Sequence, residues 1–255
     1  EDLAPIPESK RTWGWFEIFN VWSNDIQSLF GYTLAASLFL SFGLGGWTVF
    51  AAIMTAGLFI MLLVNLMGEP SVKYGIPFPV MARSSMGVRG ANFPAIVRAI
   101  VAIFWYGAQT YFASTAVSLL ISSFMGGNGE AVFLQMSSID WISFLSVWLF
   151  QIWLFWNGID WITKFLNLAG PFVYVTMIAL ALVIWGKAGD GLILEMGTIF
   201  EGTGDYDGGA ISAYFAIVGT MIAYFAAVVI NYGDFSRNVK TQGDMKKGNL
   251  IGLPI

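Results

Sequence analysis

The chain has 255 residues, of which 57% are hydrophobic, 16% aromatic and only 11% charged. A soluble domain carries about 25% charged residues to cover its surface, so a water-soluble globular fold is excluded and the chain reads as an all-α integral membrane protein. Cysteine and histidine are both absent, which removes disulfides, thiolate chemistry, histidine-ligated haem or zinc and any Ser-His triad. The net charge of −4 says less than the placement of the charges.

In chain order, residues 1–18 form a polar segment of mixed charge with no small-residue cleavage site, so no signal peptide is expected. Six apolar stretches follow, at about 19–43, 47–67, 94–124, 141–158, 167–186 and 211–232. Each is long enough to cross a hydrocarbon core of about 30 Å as a helix. Gly43, Gly45 and Gly46 close the first turn, Pro94 opens the third span and Gly186 ends the fifth.

Span one carries Trp22-Ser23-Asn24-Asp25-Ile26-Gln27-Ser28, five polar residues within seven, followed by Gly31. Polar groups in hydrocarbon are costly and face a partner, a cavity or a substrate. The run is read as a locally unwound helix whose carbonyls and side chains line a site. A polar stripe bonded to neighbouring helices is the alternative. Asp25 is the only acid placed well inside a span, and either proton carriage or a structural role suits it.

The segment from Tyr74 to Pro94 is punctuated by glycine and proline and is expected to be a shaped loop, with arginines suited to phosphates or neighbouring loops. No Gly-Lys-Ser/Thr follows its glycines, so an ATP-driven mechanism has no support there. Span three holds Phe104-Trp105-Tyr106-Gly107-Ala108-Gln109-Thr110. Trp105 and Gln109 are four apart and share a helix face, with Trp105 about 16 Å inside Pro94. Tryptophan favours the membrane interface. A mid-membrane indole beside an amide suits a flat, polar heterocycle, or else an aromatic core position with a helix-bridging glutamine. In span six, Gly219-Thr220 marks a candidate second break, or a packed glycine, with Tyr224 and Phe225 at similar depth as a second aromatic wall.

The basic residues set the expected topology. Lys10, Arg11, Lys73, Arg83, Arg89, Arg98, Lys164, Arg237, Lys240, Lys246 and Lys247 share one side if both ends are cytoplasmic. Only Lys187 falls on the other, where Glu130, Asp190, Glu195, Glu201, Asp205 and Asp207 gather. Eleven against one is a positive-inside pattern, giving a multi-pass cell-membrane protein with a cytoplasmic N-terminus. The expected organisation is 1–18 cytoplasmic, 19–186 spans one to five, 187–210 an extracytoplasmic loop, 211–232 span six and 233–255 cytoplasmic. The chain starts without methionine and an apolar run opens after Asn249, so it reads as the front half of a transporter-sized protein.

Together these segments resemble the nucleobase:cation symporter-1 family, carriers of purines, pyrimidines, allantoin, hydantoins and thiamine-like compounds. The matching pieces are Glu1-Asp-Leu-Ala-Pro-Ile-Pro, Arg11-Thr-Trp13, Gly31-Tyr-Thr-Leu-Ala-Ala-Ser37, Gly75-Ile-Pro-Phe-Pro-Val-Met-Ala-Arg83, Met86-Gly-Val-Arg-Gly-Ala-Asn92 and Trp105-Tyr-Gly-Ala-Gln-Thr110. The resemblance implies a LeuT-type fold of two inverted five-helix repeats, of which this chain holds the first repeat plus one helix. It implies substrate contacts from Trp105 and Gln109, with Ser28 nearby. It also implies an aromatic of a broken span six on the other ring face, which alignment back from Asn231-Tyr-Gly-Asp234 puts at Phe225. It points to Asn24 and Gln27 for the coupling cation, Na+ or H+, and to no other cofactor.

The expected function is symport of a nucleobase or hydantoin-like ring, with the bilayer and the cation as its other partners and no nucleic acid. The rivals are a transporter of the same architecture for amino acids or another small solute, and a membrane binding protein that does not transport. A membrane enzyme is weakly placed, for no metal cluster or nucleophile–base pair appears in the sequence.

Overall fold

The computed structural model describes residues 3–127, 129–202, 204 and 209–254. A short 3₁₀ turn, Glu8–Lys10, precedes α1 (Trp15–Ile26), α2 (Leu29–Ser41), α3 (Gly46–Tyr74), α4 (Phe78–Met81), α5 (Arg83–Gly90) and α6 (Asn92–Met125). A small antiparallel hairpin, β1 (Ala131–Phe133) and β2 (Met136–Ser137), leads into α7 (Ser138–Trp156) and α8 (Ile159–Ala188). The remainder is α9 (Asp190–Glu201), α10 (Ala210–Asn231), α11 (Gly233–Ser236) and α12 (Gln242–Gly252).

Among the described residues, α3, α6, α7, α8 and α10 are each long and apolar enough to cross a membrane, and α2 is a shorter apolar helix. Span one is therefore not one helix. At its centre Gln27 (φ −82°, ψ 57°) and Ser28 (φ −109°, ψ 153°) leave the helical region. Ser28 N donates to the Ile26 carbonyl at 2.9 Å, so the Asn24 carbonyl loses its helical partner. Ser28 Oγ accepts from Gly31 N at 3.0 Å and caps α2. The polar run causes the break, because its hydroxyl and amides offer the backbone partners that compete with the helical ladder.

Spans two to five run longer than expected. α3 continues through Pro70 to Tyr74 and stops at Gly75, whose φ of +70° suits a glycine cap. α8 starts at Ile159, eight residues before the expected 167. Two expectations are corrected, and the alternative left open for span six is decided. The shaped loop expected after span two is instead two short helices, α4 and α5, kinked at Gly87 (φ +70°, ψ 172°). The expected loop at 187–210 contains α9. Span six has no break at Gly219-Thr220: α10 is regular from Ala210 to Asn231, and Thr220 Oγ1 bonds back to the Ala216 carbonyl at 2.8 Å, so its hydroxyl needs no opening in the helix. Of the acids expected opposite the basic side, Asp205, Asp207 and the side chain of Asp190 lie outside the described residues, as do Glu1 and Asp2 of the first matching piece.

The centre of the molecule is α3 against α10, where Val49, Ala52 and Ala56 meet Ala213, Ile217 and Val218. Small residues let the two backbones approach, the usual basis of helix association in lipid. A second cluster joins α1, α3, α10 and α12 through Ile18, Trp22, Ile60, Val64, Phe225, Val229, Tyr232 and Met245. α12 lies on α1 through two glycines: a Cβ on Gly248 would sit 2.6 Å from Ile18 Cβ, and one on Gly252 would sit 2.8 Å from Trp22 Cβ. α7 and α8 form the rim, with exposed Leu149, Trp156, Leu168, Phe172 and Val175. In water that surface would be a large apolar patch; its chemistry suits lipid tails or further transmembrane helices.

The N-terminal segment straps this end of the bundle together. Ile6 N donates to Gly75 O at 2.9 Å, Trp13 N to Asn238 O at 3.0 Å, and Lys240 N to Trp13 O at 2.9 Å. Arg11 is buried and donates to the carbonyls of Ile6 and Val72. Asp234 Oδ1 accepts from Phe78 N at 2.9 Å, tying α11 to the start of α4.

Candidate functional site

Helical spacing places Arg98, Ala102, Trp105 and Gln109 on one face of α6, and that face lines a cavity of about 120 Å³. Asp25 comes from the end of α1, and Tyr224, Ala227 and Val228 come from α10. A second cavity of about 470 Å³ adjoins it, lined by Asn24, Asp25, Gln27, Ser28, Gln109 and Gln151 with apolar neighbours. Asp25 and Gln109 border both. The break in span one thus shares the larger cavity with the Gln109 amide of span three, while the Trp105 indole lines the smaller one beside it.

The aromatic side chains form a tight group. Phe30 meets Trp105 edge-on at 5.1 Å between centroids, and it stacks on Tyr224 at 5.7 Å with a 22° interplanar angle. Tyr224 in turn contacts Trp105 at 5.6 Å and 80°. Its hydroxyl lies 3.4 Å from Ser28 Oγ.

Of the residues singled out in the sequence, Trp105, Gln109, Ser28, Asn24 and Gln27 all lie on these two cavities. Phe225 does not. It is buried in the α1–α10 core, edge-on to Trp22 at 6.3 Å, and its neighbour Tyr224 holds the place opposite Trp105. Arg98 and Phe30 were not singled out for the site. Arg98 was legible in principle, being seven residues before Trp105 on the same helix face. Phe30 was not, since only the turn at Gln27-Ser28 aims it at α6.

The polar groups divide by their commitments. Asn24 Nδ2 donates to Asn20 O at 2.7 Å and Leu166 O at 3.2 Å, fixing α1 to α8. Gln27 Oε1 accepts from the Tyr32 hydroxyl. Arg98 faces the Asn231 amide: with the amide nitrogen on Ala227 O, its oxygen accepts from Arg98 Nη2 at 2.5 Å. Asp25 has no hydrogen-bond or ion-pair partner among the described residues, and it borders a third cavity as well. An acceptor-only carboxylate, a donor-only guanidinium and an amide that does both can read alternating N–H and C=O groups on a small polar molecule. Neutral amide and backbone oxygens at the break suit a hard cation. Among the described residues no group of three or more acidic side chains could hold a metal.

A family model for permeases of cytosine/purines, uracil, thiamine and allantoin matches residues 5–255. The chain is 32% identical to an allantoin permease of Bacillus subtilis, over all of this chain and 52% of that protein. It is 30% identical to a purine-uracil permease of Arabidopsis thaliana, over all of this chain and 42% of that one. Among solved structures it resembles Mhp1, a nucleobase-cation-symport-1 family transporter, in a closed conformation with bromovinylhydantoin bound. The TM-score is 0.82 over 99% of this chain and 54% of that chain, at 19% identity. Against the inward-facing conformation of Mhp1 the TM-score is 0.73. The chain spans about half the length of the relatives it matches. Its fold is that of a multi-pass helical membrane protein related to Mhp1, and the chain belongs to the family of permeases for cytosine/purines, uracil, thiamine and allantoin.

Proposed function

We propose that this chain is the substrate-holding front half of a secondary symporter that imports a flat, nucleobase-like heterocycle with Na+ or H+. The observation that carries the reading is the cavity lined by Trp105, Gln109 and Tyr224, next to the break in the first span. The indole offers a ring face, and the Gln109 amide offers a paired donor and acceptor. Tyr224 takes the role that alignment assigned to Phe225. The cation sits at the break, near Asn24 and Gln27, where the Asn24 carbonyl has left the helical ladder. A ligand shifts a transporter toward whichever conformation it binds better, so ring and cation together drive alternating access.

In this reading α1 with α2, then α3, α6, α7 and α8, form the first of two inverted LeuT-type repeats, and α10 opens the second. The basic residues put the N-terminus and the α4–α5 segment in the cytoplasm.

The test is uptake by cells making the whole transporter, using labelled uracil, cytosine, allantoin and hydantoin with and without a sodium gradient. Saturable uptake of one of these, reduced about a hundredfold or more by Gln109→Ala, is the expected outcome. Uptake of amino acids instead would favour the other-solute transporter. Binding of a ring with no accumulation would favour a binding protein.

A further inference from the structure

Asp25 lines the small cavity beside Trp105, the larger cavity at the break and the third one between α1 and α8. Its polar neighbours do not share that reach: Asn24, Gln27 and Ser28 line the larger cavity but not the one beside Trp105. Of the polar groups at the break, Asp25 is thus the one that also stands beside the indole.

The opposite charge is held elsewhere. Arg98 lines the same small cavity and a fourth one of about 390 Å³ between α6 and α10, and its guanidinium bonds to the Asn231 amide. Among the described residues Asp25 and Arg98 make no ion pair, and no other charged side chain lines any of these four cavities. An unpaired charge inside a membrane is costly and marks a functional position. A carboxylate accepts hydrogen bonds and donates none. From this position it takes an N–H of a ring beside Trp105 and repels a ring of its own sign, more strongly than in water.

We propose that Asp25 selects the substrate by charge, admitting neutral rings that offer it an N–H and refusing anionic ones. The inference rests on the transport reading above and narrows its substrate class by charge rather than by size. Without the carboxylate, Arg98 is the one charge left on the small cavity, and the site then favours an anion.

The experiment is competition against uptake of whichever of labelled uracil, cytosine, allantoin or hydantoin the native whole transporter takes up in cells. The competitor is unlabelled barbiturate, a uracil-sized ring that is an anion at neutral pH. Equilibrium binding of the same label to membranes from these cells reads the same preference in a variant that binds without translocating. Native protein refuses barbiturate. Asp25→Asn keeps an acceptor oxygen and loses the charge, so it holds the neutral ring within about tenfold of native while the barbiturate inhibition constant falls about tenfold or more. Asp25→Leu has no acceptor and loses the neutral ring about a hundredfold or more.

Native protein that accepts barbiturate as readily as the neutral ring overturns the proposal, whether or not any variant folds. So does Asp25→Asn that reaches the membrane with barbiturate still refused, including the case in which only its sodium or proton dependence has moved and Asp25 serves the cation instead. Absence of uptake and of binding of every ring by native protein at the membrane removes the transport reading itself, a result distinct from the other two.

Discussion

Asn249 is the best place to test how the bundle is held. Its Oδ1 accepts from Trp22 Nε1 at 2.7 Å and from the Tyr232 hydroxyl at 2.6 Å, while its Nδ2 donates to Asn65 Oδ1 at 2.8 Å. Trp22, Tyr232 and Asn249 are all 0% exposed, so neither donor can turn to water. Asn249→Leu keeps roughly the same volume and strands both. A buried polar group left without a partner costs about 1–3 kcal/mol, so the two together cost about 2–6 kcal/mol. Asn65 is half-buried and adds less, since it can find another partner. The assay is denaturant unfolding of the purified protein in mixed micelles, run as a double-mutant cycle with Tyr232→Phe. In the native background Tyr232→Phe destabilises by about 1 kcal/mol. In the Asn249→Leu background it removes a stranded hydroxyl and restores stability. A loss below about 1 kcal/mol for Asn249→Leu, or the same sign for Tyr232→Phe in both backgrounds, would refute the reasoning.

Two glycines give predictions whose sign opposes helix propensity, which favours alanine by about 1 kcal/mol. A Cβ on Gly31 would lie 2.7 Å from the Ile26 carbonyl oxygen, so Gly31→Ala strains the break in span one and destabilises by about 1–3 kcal/mol. It lowers ring uptake as well, read in the same cells as Gln109→Ala. Gly248→Ala pushes α12 off Ile18 and Trp15 and also costs about 1–3 kcal/mol in the micelle assay. Gly243→Ala is the contrast on the same helix: its nearest neighbour is 3.7 Å away, so it leaves stability unchanged or raises it. Equal effects at 243 and 248 would show that close packing of α12 on α1 is not what Gly248 provides.

How much of this was legible in the chain varies with the kind of signal. The long apolar runs announced the spans, and the five polar residues at 23–28 announced the break, because both are local in sequence and costly to place elsewhere in a bilayer. Gly219-Thr220 gave a similar but false signal. One glycine weakens a helix only slightly, and Thr220 satisfies itself on Ala216 within the turn. The short helices α4, α5 and α9 were hidden because they lack a long apolar run. α4 and α9 take their places by contact with other elements: α4 by the Asp234 carboxylate at its start, and α9 by Phe200 against Gly46.

By itself the sequence determined membrane residence, the approximate spans and the indole–amide face of the third, since each follows from composition or from spacing along one helix. The tertiary structure decided which of two adjacent aromatics faces Trp105. Neighbouring residues on a helix point about 100° apart, and only the packing of α10 on α1 and α3 sets its rotation. That packing buries Phe225 against Trp22 and turns Tyr224 into the cavity.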